Sequence, residues 1–226
     1  MNGSRIQHSL ELSVAAYRDV QPYTCTPVNV NLPGQADVHY ILRTDGDTLW
    51  IVFRGSDSLM DWKANLSFPK KRIPYDNTST KIRVHGGFLS LYKLTEVRDR
   101  ILSEVAKGVR RVRITGHSLG AALTVLCAVD VQYNFPGTDI EAILFGCPRV
   151  GNSAFVKSYN KRVDKTVRVE YGNDAVTKVP PAMFGFRHAG AKLHIGKPRI
   201  WGWFRANDHY PYRYYEGLLR KTVFQF

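Results

Sequence analysis

Apolar residues recur along this chain with two periods, and their alternation predicts where helices and strands fall. Residues Gln7 to Asp19 carry apolar side chains at helical spacing, which predicts an N-terminal amphipathic helix. Val20 to Pro33 holds three prolines and Cys25 and reads as an irregular connection. Val38 to Arg43 and Thr48 to Arg54 are rich in β-branched and aromatic residues, and Asp45-Gly46-Asp47 between them is the turn of a hairpin. Past Gly55-Ser56 the pattern turns helical: Ser58 and Asp61 resemble a capping box, with Leu59, Trp62 and Leu66 on one face. Lys81 to Gly87 reads as strand and turn. Phe88 to Lys107 reads as the longest helix, with Leu91, Leu94, Val97, Ile101 and Val105 in phase and Gly108 ending it.

The next stretch organises the rest. A β-branched strand, Arg111 to Thr115, runs into Gly116-His117-Ser118-Leu119-Gly120, and an apolar helix former, Ala121 to Val129, follows at once. Strand, G-x-S-x-G and helix in that order is the context of a nucleophile elbow. So tight a turn strains the serine's backbone and leaves no room for side chains two residues before and after it. Gly116 and Gly120 remove those collisions, and Ser118 Oγ is expected to stand exposed at the top of the sheet. Downstream, Ile140 to Phe145, Thr166 to Tyr171 and Lys192 to Ile195 read as strands, and Ser153 to Val163 and Tyr212 to Thr222 as helices. Strands alternating with helices predict an α/β protein: a mostly parallel central sheet with helices on both faces, one domain over residues 1–226. Its chemistry belongs at the carboxyl ends of the strands.

Composition narrows the class. A hydrophobic fraction of 44% with 12% aromatics is that of a folded protein, and no apolar run reaches the length of a membrane span. Met1 to Leu12 lacks the uninterrupted apolar core of a signal peptide. As written the chain is therefore expected to be cytoplasmic, and secreted if a leader has been removed. Cys127 and Cys147 fall in apolar segments, and an odd total of three cysteines argues against a disulfide framework. The 32 Lys and Arg against 19 Asp and Glu leave a net charge of +13, which suits anionic surfaces. No nucleic-acid-binding motif accompanies that charge, and no His/Cys cluster has metal-ligand spacing.

An elbow serine needs a base and an acid, and the chain order Ser, acid, His is that of the α/β-hydrolases. Asp174 lies just past the end of a strand, where a carboxylate can orient an imidazole, whereas Asp164 lies at a strand start. Asp130 and Asp139 read as surface or capping groups. Of the downstream histidines, His188 and His194 flank a strand, and His209 lies in a loop before the last helix. A base must reach both serine and carboxylate, and position favours the loop residue.

With these residues in view, the chain from about Val38 to Leu218 resembles the class 3 (fungal-type) lipases. The matching stretches are Ile51 to Ser56, Val84 to Phe88, Thr115 to Gly120, Phe145 to Asn152, Asn173 to Pro181, Phe184 to Gly190 and Asp208-His209-Tyr210, in the family's order. The resemblance implies Ser118 as nucleophile, Asp174 as orienting acid and His209 as base. It implies an oxyanion hole from Ser56 and the N–H of Leu119, and it calls for no cofactor. His85 and His188 are expected to be packing residues. The acyl groove is expected to involve His117, Trp62, Val176, Val179 and Tyr210, and Asp57 to Phe68 to match the family's lid. Lys70-Lys71-Arg72 would then form a basic rim for an anionic lipid surface. The implied activity is triacylglycerol lipase or esterase. Phospholipase A1 or feruloyl-type esterase is the alternative, and a non-catalytic lipase-like scaffold the remote one. Two features depart from the secreted fungal members: the leader and the disulfide pattern are missing.

Overall fold

The computed structural model describes residues 3–18, 25–31, 37–56, 69–73, 79–197 and 206–223. In chain order the helices are α1 (Gly3–Ala15), α2 (Gly86–Tyr92), α3 (Arg98–Val105), α4 (Leu119–Asn134), α5 (Ser153–Arg162) and α6 (Pro211–Val223). The strands are β1 (Thr26–Val30), β2 (Val38–Asp45), β3 (Thr48–Phe53), β4 (Lys70–Arg72), β5 (Arg83–His85), β6 (Arg111–His117), β7 (Asp139–Phe145), β8 (Thr166–Tyr171) and β9 (Ala191–Ile195). Seven of them make one sheet in the order β1-β2-β3-β6-β7-β8-β9, while β4 and β5 pair apart from it. From β3 to β9 every pairing is parallel, and β1 and β2 add antiparallel strands at one edge.

Period-two alternation sorts the strand residues between two layers. Leu49, Ile51 and Phe53 of β3, Val112 and Ile114 of β6, and Ala142 and Leu144 of β7 face the larger core, shared with α2 to α5. Ile143 and Phe145 of β7, Val169 and Ile195 face the other way, against Ile6 and Leu10 of α1 and Tyr214 and Leu218 of α6. The sheet is thus covered on both faces, as an α/β-hydrolase requires. Among the described residues no helix is long and apolar enough to cross a membrane.

Three expectations need correcting. Val20 to Pro33 is not irregular throughout, because β1 forms inside it; β1 is an edge strand, the one place in a sheet that tolerates Pro27. The helix read over Phe88 to Lys107 is two helices, and the longest is α4, of 16 residues. The apolar spacing runs on through the break because Val97 is buried there, but the Tyr40 hydroxyl takes the Glu96 carbonyl, and Arg100 N–H turns to Thr95 O at 3.3 Å. Asp130 is no surface group: it is buried on α4, accepting from the Tyr92 hydroxyl at 3.0 Å and the Arg98 guanidinium at 3.2 Å. Asp139 is tied to Arg113 and Lys165 at the foot of β6 and β8. The segment read as a lid, Asp57 to Phe68, lies outside the described residues.

Candidate active site

The elbow forms where β6 meets α4. Ser118 is the sole non-glycine with positive φ among the described residues, at φ 59 and ψ −124. A Cβ on Gly116 would lie 2.5 Å from the Gly120 carbonyl carbon, and one on Gly120 would lie 2.3 Å from Phe53 O at the end of β3. Glycine therefore serves two close approaches: strand to helix across the turn, and helix onto the neighbouring strand end. The Ser118 N–H donates to Phe145 O of β7 at 3.0 Å, tying the turn to the sheet. One detail departs from expectation. Ser118 does not stand exposed; it is 3% accessible, with its Cβ against Gly55.

β8 ends at Tyr171, and three residues later the chain turns Asp174 inward, 1% exposed. Its Oδ1 accepts from the Val176 N–H at 2.8 Å. Its Oδ2 accepts from His209 Nδ1 at 2.8 Å and from the Tyr214 hydroxyl on α6. Burial, and then the neighbouring Asp174 charge, holds the Tyr214 phenol well above its usual range, so it stays protonated and donates. With Nδ1 committed as donor to a carboxylate, His209 presents Nε2 as a lone pair, and that atom is buried without a hydrogen-bond partner. Gly146 at the end of β7 makes room for the pair: a Cβ there would lie 2.8 Å from His209 Cε1 and 3.0 Å from Asp174 Oδ2.

The loop carrying His209, a 3-10 turn over Ala206–His209, is pinned on both sides of the ring. The Asp208 carboxylate accepts the Asn173 N–H at 2.9 Å, and the His209 carbonyl accepts from His117 Nε2 at 2.8 Å. The rejected alternatives lie elsewhere. Asp164 is exposed. His188 donates to the Thr177 carbonyl at 2.8 Å and is held neutral by burial, its pKa lowered to about 3. His194 pairs in register with Glu170 inside β9.

Ser56 follows Gly55, whose own Cβ, were there one, would lie 3.1 Å from Ser118 Cβ. The end of the β3 loop is thereby set beside the serine. Leu119 opens α4, where first-turn N–H groups have no partner within the helix. The structure thus brings Ser56, Ser118, Leu119, Asp174 and His209 to one end of the sheet. The groove residues divide. Val176 is buried beside Asp174, Val179 is half-buried and Tyr210 is 47% exposed, while Trp62 lies outside the described residues. His117 lies under His209, ring centroids 4.5 Å apart, with both nitrogens hydrogen-bonded, and so offers no free edge to a groove. Lys70 is spent as well: its ammonium donates to the Phe184 carbonyl and sits 4.6 Å over the Phe186 ring. Lys71 and Arg72 are exposed.

Residues that sequence reasoning passed over include Tyr214, Asp208, Gly146 and Tyr17. Tyr214 and Tyr17 carry no local signal that separates them from core aromatics, whereas Asp208, adjacent to the base candidate, could have been found. Among the described residues no group of three or more His, Cys, Asp and Glu side chains is arranged to hold a metal ion.

Residues 50–184 match the family Lipase (class 3). A lipase of Rhizomucor miehei is 36% identical over 165 residues, which cover 69% of this chain and 44% of that protein. A chloroplastic phospholipase A(1) of Arabidopsis thaliana is 35% identical over 147 residues, covering 58% of this chain and 33% of that one. Among solved structures, a triacylglycerol lipase whose catalytic centre is formed by a serine protease triad superposes with a TM-score of 0.70 at 30% identity, over 85% of this chain and 79% of its own. This chain spans less than half the length of the two curated relatives.

Proposed function

The chain belongs to the class 3 lipase family, and from that premise we propose that it hydrolyses carboxylic esters of acylglycerols through an acyl-enzyme on Ser118. The observation that carries the reading is the buried Asp174–His209 hydrogen bond, which leaves Nε2 of a correctly polarised imidazole without a partner at the end of the sheet that carries the elbow serine. His209 Nε2 takes the Ser118 proton as Oγ attacks the ester carbonyl, and the Asp174 carboxylate stabilises the imidazolium. The oxyanion forms between the N–H groups of Ser56 and Leu119, each such donor being worth roughly 3 kcal/mol of barrier. His209 then protonates the departing alcohol, and water, activated the same way, releases the acid.

The same machinery accepts a phospholipid ester, and the similarity to a phospholipase A(1) supports that as the second reading. Emulsified triacylglycerol, phosphatidylcholine and a feruloyl ester offered side by side separate the three. The proposal expects the highest kcat/KM on the acylglycerol. Turnover of the feruloyl ester alone would contradict it.

Such a substrate sits at a lipid surface. Met183 is 85% and Phe184 52% exposed on a turn nine residues past Asp174, and Lys70 ties that turn to the basic strand β4. Apolar tips on a turn tied to the strand that carries Lys71 and Arg72 support docking on anionic lipid, each cation near such a surface being worth about 1 kcal/mol. Binding to phosphatidylglycerol-containing vesicles is expected to fall with added salt, and charge neutralisation of Lys71 and Arg72 is expected to flatten that dependence. Vesicle binding indifferent to salt and headgroup would remove the docking surface from the account.

A further inference from the structure

Tyr17 lies outside the stretch that matches the family, yet it touches both halves of the site. It stands in the turn that follows α1, and α1 is anchored to the underside of β6 by the Ser13 and Thr115 hydroxyls, 3.1 Å apart. From there its hydroxyl reaches His117 Nδ1 at 2.9 Å. It also fills the space a side chain at position 55 would need, since a Cβ on Gly55 would lie 2.1 Å from the Tyr17 oxygen. The Arg54 guanidinium lies 5.5 Å from the centre of its ring. One side chain thus meets the strand end that presents Ser56 and the histidine that underlies His209.

The direction of these bonds follows from donor arithmetic. The His209 carbonyl can only accept, so His117 Nε2 carries the hydrogen it donates at 2.8 Å. Burial, and next the neighbouring His209, holds the His117 ring well below its ordinary pKa, so it has a single N–H. Nδ1 is therefore a lone pair, and the Tyr17 hydroxyl must be its donor. A neutral His117 also adds no positive charge 4.5 Å from a ring that becomes imidazolium during the reaction.

We propose that Tyr17 is a positioning residue: its hydroxyl orients His117, and His117 holds the backbone of His209 at the distance from Ser118 that proton transfer needs. The inference rests on His209 being the base. Displacement of a reacting group by even about 1 Å costs rate far more than it costs substrate binding. The effect should therefore appear in kcat and not in KM.

The test uses the full chain and p-nitrophenyl butyrate, a soluble ester that removes lipid docking from the measurement. Tyr17→Phe should lower kcat about tenfold while KM stays within about twofold. His117→Gln keeps an amide N–H near the place of Nε2 but offers Tyr17 no acceptor at the place of Nδ1, so it should lose no more than Tyr17→Phe does. His117→Asn places its amide near Nδ1, cannot reach the His209 carbonyl, and should lose at least as much as Tyr17→Phe. Adding Tyr17→Phe to His117→Asn should cost nothing more, because the hydroxyl acts through the ring. The proposal is overturned if Tyr17→Phe lowers the melting temperature and leaves kcat alone, or if the Gln and Asn variants at 117 are equally active. Where Tyr17→Phe does not fold, the two His117 variants still test the His117–His209 bond through which Tyr17 must act, and equal activity in both overturns the proposal. Wild type and Ser118→Ala run alongside keep the readings apart: an active Ser118→Ala defeats the mechanism itself, whereas an unimpaired Tyr17→Phe beside an inactive Ser118→Ala defeats only the role of Tyr17.

Discussion

Asp174→Asn should lower kcat for ester hydrolysis by roughly 10⁴ with little change in KM, because it reverses the tautomer of the base. The native carboxylate has acceptors only, and three donors converge on it: the Val176 N–H, the Tyr214 hydroxyl and His209 Nδ1–H. An asparagine that keeps its carbonyl toward Val176 must turn its NH₂ toward His209. The ring then accepts at Nδ1 and carries its hydrogen at Nε2, where it has no lone pair to receive the Ser118 proton. Tyr214 adapts by rotating its hydroxyl to accept, so the fold survives and the loss is chemical. Steady-state kinetics on a soluble ester, with the melting temperature as control, checks this. A loss below about tenfold would mean that the carboxylate does not set the tautomer.

Ser118→Ala should remove roughly 10⁶ of kcat and leave the fold as it is. Serine and alanine share a Cβ, so the strain of φ 59 is unchanged by the substitution. The group removed is a single hydroxyl, so little packing is lost. The three residues act as one unit, so Ser118→Ala combined with Asp174→Asn should be no worse than Ser118→Ala alone. Additive losses would show that each residue contributes separately, which the proposed relay does not allow.

The parts of this molecule that could be read from its sequence are those where a local steric rule leaves one solution. Gly116 and Gly120 around Ser118 are such a case, and the structure adds that the second glycine also faces the β3 carbonyls. The parallel strands β3 and β7 were legible because strands buried on both faces read as near-continuous apolar runs, and β6 and β8 because β-branched residues recur along them. Asp174 was placed by its position past a strand end and His209 by its loop before the last helix, and the two side chains meet. Legibility fails where a distant group overrides local pattern. At the break between α2 and α3 the Glu96 carbonyl is taken by Tyr40, more than fifty residues earlier in the chain. β1 forms despite Pro27 because it lies at a sheet edge, which no local window reveals. Tyr17, His117 and Tyr214 sit in apolar or helical patterns that read equally well as core, and their roles appear only once α1 and α6 are packed beneath the elbow. The burial of Ser118 is likewise a property of tertiary packing and not of the elbow itself.

The central claim is that Ser118 becomes acylated with help from His209 and Asp174. It is tested most directly by mixing the protein with diethyl p-nitrophenyl phosphate, which traps a nucleophilic serine as its phosphoryl ester, and locating the adduct by peptide mass mapping. The account predicts a single adduct, on Ser118, formed as activity is lost, absent from Ser118→Ala and far slower to form in Asp174→Asn. Loss of activity with Ser118 unmodified, or labelling of Ser118 at the same rate in Asp174→Asn, would contradict it.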